Sequence, residues 1–523
     1  MTSSVGTAAA GAASEPSAGM AHYLLAAAPD EAIVLLDGAE RYTYGQLRGA
    51  VATLATRLHE LSLPAGAPVA LLGPNSLFWI AAYIATIDAG LVSVPLPVGL
   101  PVEEVLARCD WVGARTVLAE GAPLRALVTR LPDDVAVLTP AALTERPVRW
   151  SDRPRSATGA DADAAYLFTS GTTGEPRAVR ITSENIRANT ESILGYLRLD
   201  AADRVLVVLP FTYVFGASLL HTHLRVGATL VNQRSAAYPE KIVDALAENA
   251  CTVFAGVPSI FHTLLRNSTF ARRELPALRI IQQAGGRLPP ALLRELASAH
   301  PHARAHVMYG QTEATARLSA LDPHELADRP GSIGRGIPGV ELRVVDDAGL
   351  AVAPGEVGEI RARGANVSPG YLSDPELSRR RMGDGELRTG DLATVDDDGF
   401  IYVLDRAEDF IKSWGYRVSS QEVEAVAMEI PDLIAVAAVG LADAVAGERI
   451  ELVVVVRPGA ELTEQSVIAH CRTVLPRHAV PAGVHIVARL PVNANGKVVK
   501  REIKTWLEGR RTNDEKAQEH DDR

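Results

Sequence analysis

The chain is expected to be an α/β protein, and three patterns carry that expectation. Between Ala21 and Val148, Ala/Leu-rich stretches at helical spacing alternate with short Val/Ala/Leu runs, and the same alternation returns from Thr252 to Glu313. From Val340 to Tyr402 it gives way to short segments of alternating polarity separated by turns at Asp346 to Gly349, Pro354-Gly355 and Asp396 to Gly399. Strands interleaved with helices pair in parallel, whereas strands joined by tight turns pair antiparallel. The reading is therefore a large N-terminal domain of two parallel-sheet α/β subdomains plus an antiparallel, barrel-like subdomain. A small α+β C-terminal domain follows.

Composition limits what such a protein can do. A chain of 523 residues exceeds what one core usually organises. With 47% apolar and 22% charged residues it has the make-up of a water-soluble globular protein, and its net charge of −11 argues against nucleic acid as a bulk partner. Cys109, Cys251 and Cys471 lie far apart and odd in number, as expected of buried thiols in a reducing compartment. Residues 1–19 lack a basic start and a continuous apolar stretch, so they read as a disordered leader and not a secretory signal. The longest apolar stretch, Phe78 to Leu96, is interrupted by Asp88 and Gly90 and falls short of the roughly 18 apolar residues of a membrane helix. A cytoplasmic protein without a membrane partner is expected.

In chain order, Arg41 to Leu47 reads as a strand end entering a helix, Pro68 to Pro74 as a buried strand, Ile80 to Leu91 as a helix and Val92 to Leu96 as a strand. Tyr166 to Phe168 is an apolar strand end that leads into Thr169, Ser170, Gly171, Thr172, Thr173 and Gly174, then Pro176 and Arg177. Hydroxyls and glycines this dense can turn backbone N–H groups inward around phosphate, although an ordinary surface turn has the same composition. The Walker pattern is excluded, because it needs four residues between its glycines and then Lys before Ser or Thr. Ser183 to Arg198 is a helix capped by Thr182 or Ser183, and Arg204 to Pro210 a core strand delivering the aromatics Phe211, Tyr213 and Phe215. Three more strands, in Thr252 to Pro258, Leu278 to Gly286 and Ala305 to Glu313, place Gly-containing turns at carboxyl ends, where parallel sheets hold ligands. Gly334 to Gly339 fits GxGxxG, but Pro338 would fall inside the required helix and Val340 to Val345 reads as a strand, so a dinucleotide fold is rejected. Ser419 to Met428 starts a C-terminal helix, strands follow at Ile434 to Leu441, Arg449 to Val456 and Gly483 to Val487, and the charged run after Gly509 reads as a disordered tail.

Taken together, these segments resemble the adenylate-forming superfamily of acyl-CoA synthetases, peptide-synthetase adenylation domains and luciferases. The loop Thr169 to Arg177 resembles TSGTTGxPKGV, with Arg177 for the usual Lys and Ala178 for the usual Gly. Tyr309 to Glu313 matches YGxTE, Arg388 to Leu392 matches RTGDL, Gly358 to Tyr371 resembles GExxxxGxxxxxGY, and Leu490 to Lys497 is close to LPxxxxGK. Leu404 to Glu424 resembles the hinge segment, with Asp405 for Gly and Glu408 for the hinge Asp. The likeness extends from about residue 30 to residue 505.

The resemblance implies ATP and Mg²⁺ as cofactors, a large domain over residues 20–406, a mobile lid over 407–508 with its hinge at Glu408, and a tail over 509–523. It assigns the β and γ phosphates to Thr169, Ser170, Gly171, Thr172, Thr173, Gly174 and Arg177, adds phosphate contact from Thr312, and counts Gly310 and Gln311 among the nucleotide-binding residues. It assigns Mg²⁺ to Glu313, ribose to Asp391 and Arg406, adenine to Gly286, Arg287 and Tyr309, and the adenylation step to Lys497. Tyr213, Val214, Phe215, Ser218, Gln282, Ala284, Met308, Ala316 and Arg317 would line the acyl pocket. Val214 stands where amino-acid-activating relatives carry Asp, so an α-amino acid is disfavoured, and Met308 with the aromatics favours a small or medium fatty or aryl acid. The thiol acceptor comes in trans, either coenzyme A or the phosphopantetheine of an acyl carrier protein. The run MYGQTEATAR tilts the reading toward the carrier protein. A luciferase-like oxygenase and a non-catalytic nucleotide-binding relative share the motifs and stand as alternatives.

Overall fold

The computed structural model describes residues 19–154, 156, 159–169, 177–235, 237–457, 459–492 and 498–521. The expected leader, apart from Gly19, lies outside them, as do Ser170 to Pro176 and Lys497.

Two mixed, mostly parallel sheets form the large domain. One has six strands in the spatial order Ala136–Leu138, Thr116–Ala119, Pro68–Leu72, Val92–Leu96, Asp163–Thr169 and Arg177–Thr182. Its first five strands run parallel, and only the last pair is antiparallel, with Thr169 opposite Arg177. The other sheet has nine strands, ordered Arg335–Gly336, Ser319–Leu321, Arg304–Tyr309, Ile280–Gln283, Val253–Gly256, Arg204–Val207, Thr229–Asn232, Ile33–Asp37 and Glu40–Thr43. Its six central strands are parallel, so their carboxyl ends open on one edge. The helix Leu77–Asp88 is buried on all sides, as its nearly uninterrupted apolar sequence dictates, and packs on Tyr44–Glu60. Thr43 and Gln46 close a capping box at the start of that second helix. The one charge at the end of the buried helix, Asp88, is matched by Arg153, whose Nε lies 2.8 Å from Asp88 Oδ2.

The segment Val340–Val345, Gly358–Gly364, Glu386–Val395 and Ile401–Arg406 forms a four-stranded antiparallel sheet. Beyond it, Gly447–Val456 pairs antiparallel with Leu433–Asp443 and parallel with Gly483–Ile486, and the helices Ser420–Ala427 and Glu464–Val474 complete a separate small core. The buried Asp405 joins the two domains: it accepts from Ser420 Oγ at 2.6 Å and from Gln421 Nε2 at 3.2 Å.

The first strands of the chain, Ile33–Asp37 and Glu40–Thr43, join the second parallel sheet and not the one formed by the residues that follow them. Residue alternation identifies a strand but not its partner, and here the partner is Thr229–Asn232. The helix Lys500–Asp521 runs into the charged segment after Gly509, where Glu, Lys, Ala and Gln are good helix formers. Among the described residues, no helix is long and apolar enough to cross a membrane.

Candidate active site

The site is built where three sheets meet. The strand Arg304–Tyr309 ends on Gly310, whose position forbids a side chain: a Cβ there would lie 1.9 Å from Ala316 O. The chain can therefore fold straight back through Thr312 to Arg317, and it does so at a cost. Thr315 and Ala316 both have positive φ, 60° and 141°, in a conformation that side chains disfavour. Bracing compensates. Asn366 Nδ2 donates to Ala314 O at 3.1 Å and to Arg317 O at 2.9 Å, Asn189 Nδ2 donates to Arg317 O at 3.0 Å, and Thr315 Oγ1 donates to Asn366 O at 2.8 Å.

This strained loop presents Glu313 to a cleft of about 390 Å³. The Glu313 carboxylate accepts from the Tyr371 hydroxyl at 2.7 Å. The cleft is also lined by Thr169 and Arg177 from the two strands flanking the hydroxyl-rich loop, by Gly310, Gln311 and Thr312, by Thr389 and Gly390, and by Arg380, Arg381, Arg406 and Glu408. Its other wall is Tyr213, Val214, Phe215, Ala284, Gly285, Ala316 and Arg317. Arginines outnumber carboxylates around it, which makes the cleft a receptor for anions. Just behind the lining, the Tyr309 hydroxyl donates to Asp391 Oδ2 at 2.5 Å, and Arg406 Nε lies 3.4 Å from Asp391 Oδ1. Burial, and then the Asp391 carboxylate, push the Tyr309 hydroxyl pKa well above its ordinary value, so Tyr309 stays a donor.

Most residues singled out in the sequence thus converge, and several do not. Gly286 and Arg287 are exposed in the loop after Ile280–Gln283, and Ala284 and Gly285 line the cleft instead. Ser218, Gln282 and Met308 are buried one layer behind the wall: Ser218 Oγ bonds Phe215 O within its own helix, and Met308 Sδ accepts from Tyr196 and Arg317. Ser170 to Gly174 and Lys497 fall outside the described residues. Sequence reasoning gave no role to Tyr371, Arg380 or Arg381. Tyr371 stood inside a recognised motif, and the arginine run on the helix Pro375–Met382 was an available signal. Among the described residues, no cluster of three or more His, Cys, Asp or Glu could by itself hold a metal ion.

Two parallel-sheet layers, a curled antiparallel sheet and a small C-terminal domain, meeting at a cleft rich in arginine with one presented glutamate, define an adenylate-forming enzyme. The chain matches the AMP-binding enzyme family over residues 25–372 and the AMP-binding enzyme C-terminal domain over residues 422–497. It therefore belongs to the adenylate-forming superfamily, and within it to the CoA-ligase type. It is 31% identical over 476 residues to a feruloyl-CoA synthase of Amycolatopsis sp, covering 89% of this chain and 94% of that one. It is 29% identical over 491 residues to an oxalate–CoA ligase of Arabidopsis thaliana, covering 90% and 95%. The solved o-succinylbenzoate CoA synthetase of Bacillus subtilis, in complex with its acyl-adenylate intermediate OSB-AMP, superposes with a TM-score of 0.83 at 26% identity, covering 94% of this chain and 98% of that one.

Proposed function

We propose that the protein joins a short or medium carboxylic acid to coenzyme A in the cytoplasm, by way of an acyl-adenylate. The observation that carries this reading is the position of Glu313, held by Tyr371 between an arginine-lined end of the cleft and the wall formed by Tyr213, Val214 and Phe215.

The chemistry follows from that division. A carboxylate oxygen of the acid attacks the α-phosphorus of ATP, and pyrophosphate leaves. A thiolate then attacks the acyl carbon, and AMP leaves with the original carboxylate oxygen. No covalent bond to the protein is required, so catalysis rests on holding anions together in line and offsetting their repulsion. In this reading Thr169, Arg177 and the intervening hydroxyl loop bind the β and γ phosphates, and Thr312 a phosphate oxygen. Asp391 and Arg406 fix the ribose, and Tyr309 flanks adenine. The loop bearing Gly286 and Arg287 covers the adenine face from outside. Lys497 bridges carboxylate and α-phosphate. Glu313 suits Mg²⁺, which commonly takes one or two protein carboxylates and completes its shell with phosphate and water; bound there, the ion would neutralise phosphate charge. The C-terminal domain, from about residue 407, acts as a lid turning at Glu408 between the two half-reactions.

Coenzyme A is the preferred acceptor because the relatives above are CoA ligases by name. A separate carrier protein, suggested by the run Met308 to Arg317, is the competing acceptor. Supplying coenzyme A or a phosphopantetheinylated carrier to the same acid and ATP decides between them. Thioester should form with coenzyme A, and exclusive loading of the carrier would reverse the assignment.

A further inference from the structure

The wall of the cleft away from the phosphate-binding end is not uniformly apolar. Arg317 is 2% exposed, and its guanidinium lies over the Phe215 ring at 4.1 Å. Its Nε donates to Met308 Sδ at 3.3 Å, a weak acceptor, and its Nη2 is buried with no hydrogen-bond partner. The ionisable groups acting on it are the phenols of Tyr196 and Tyr213; no described carboxylate forms an ion pair with it. Stacking on Phe215 offsets part of the cost of burying this cation but supplies no counter-charge.

The surroundings continue the pattern. Gln282 and His306 face each other across neighbouring strands, both almost fully buried, and both amide atoms of Gln282 and both ring nitrogens of His306 are without partners. The His306 ring lies 5.8 Å from that of Tyr196, whose hydroxyl donates to Met308 Sδ at 3.1 Å. Behind the acyl wall there is thus a group of buried polar side chains with unpartnered donors and acceptors, and Arg317 is the one cation among those named. A simple alkyl chain would leave all of it unsatisfied.

We propose that Arg317 is a specificity residue that pairs with a second carboxylate at the far end of the acid, so that the preferred substrate is a dicarboxylic acid. This rests on reading the cleft as that of an acid–CoA ligase, and it narrows the small or medium fatty or aryl acid expected from the sequence to one with a second carboxylate. The incoming carboxylate would supply both the missing counter-charge and an acceptor for Nη2.

The test is pyrophosphate release with the α,ω-diacids from succinic to suberic acid, each compared with the monocarboxylic acid of equal chain length and with the monomethyl ester of the diacid. The best diacid should exceed its monoacid and half-ester in kcat/KM by at least about 10²-fold, as for a site whose polar groups the analogue leaves unpaired. Arg317→Met should shift the diacid-to-monoacid ratio by a similar factor toward the monoacid, while Arg317→Lys keeps the diacid preferred. A wild-type preference for monoacids or half-esters overturns the proposal, and so does an Arg317→Met variant with an unchanged ratio. Thermal shift by the diacids in wild type and Arg317→Met is measured in parallel. Binding lost with the guanidinium but no pyrophosphate from any acid would sink the ligase reading and keep this one, and diacid binding indifferent to Arg317 would sink this one alone.

Discussion

The hydroxyl of Tyr371 donates to the carboxylate of Glu313 across 2.7 Å, joining the strained loop after Arg304–Tyr309 to the segment that follows Gly358–Gly364. One oxygen of Glu313 is thereby fixed and the side chain is aimed into the cleft. Tyr371→Phe removes the tether but keeps the ring. Mg²⁺ titration of pyrophosphate release should then show a raised half-saturating concentration and kcat lowered by roughly tenfold. An unaltered Mg²⁺ dependence would remove Glu313 from the metal's neighbourhood.

A second prediction concerns the pair behind the cleft. Asp391 takes the Tyr309 proton donor and lies beside Arg406, so a neutral amide there weakens both contacts. Asp391→Asn should raise KM for ATP by about 10- to 100-fold and leave KM for the acid nearly unchanged. Equal loss for both substrates would make Asp391 a structural residue only.

Substitution of Lys497, a residue assigned from the sequence, is expected to separate the half-reactions. Its ammonium should matter where two anions meet and not in thiol transfer. Lys497→Ala is expected to slow adenylation on the order of 10² to 10³-fold, with transfer from a supplied acyl-adenylate nearly normal. A common fall in both steps would contradict the lid assignment.

Stability should fall on mild acidification. Burial pushes the pKa values of His221, His223 and His306 down to about 4, below the ordinary value of about 6.5, so the unfolded chain binds protons that the folded one refuses. Stability is then complete above about pH 6.5 and declines as pH falls toward 4, by up to about 1.4 kcal/mol per pH unit for each histidine. Denaturant midpoints between pH 7.5 and 4.5 measure the slope. His306→Gln should flatten part of it, and an identical slope in that variant would contradict the assignment.

Much of this site was legible because its chemistry is local. Thr312 and Glu313 follow the end of Arg304–Tyr309, and Asp391 lies on a short Gly-Asp motif inside Glu386–Val395, so each is carried by a few neighbouring residues. What could not be read depends on contacts distant in sequence. Nothing near Ile33 announces Thr229–Asn232 as its neighbour, and nothing near Glu313 announces that Tyr371 holds it or that Asn189 and Asn366 brace its loop. Arg317 was placed in the acyl wall from its position, but its burial without a counter-ion is a property of the packed interior. Gly286 and Arg287 were placed from a motif position alone, and their exposure just beyond the cleft-lining Ala284 and Gly285 is likewise a property of how the chain turns.

In the proposed reaction the acid's own oxygen is passed to AMP. Carboxylate labelled with ¹⁸O in both oxygens, turned over with ATP and coenzyme A, tests it directly by mass spectrometry of the nucleotide and phosphate products. One labelled oxygen should appear in AMP and none in pyrophosphate, for every turnover that yields thioester. Label in inorganic phosphate with ADP as the nucleotide product, or thioester formed with unlabelled AMP, would contradict it.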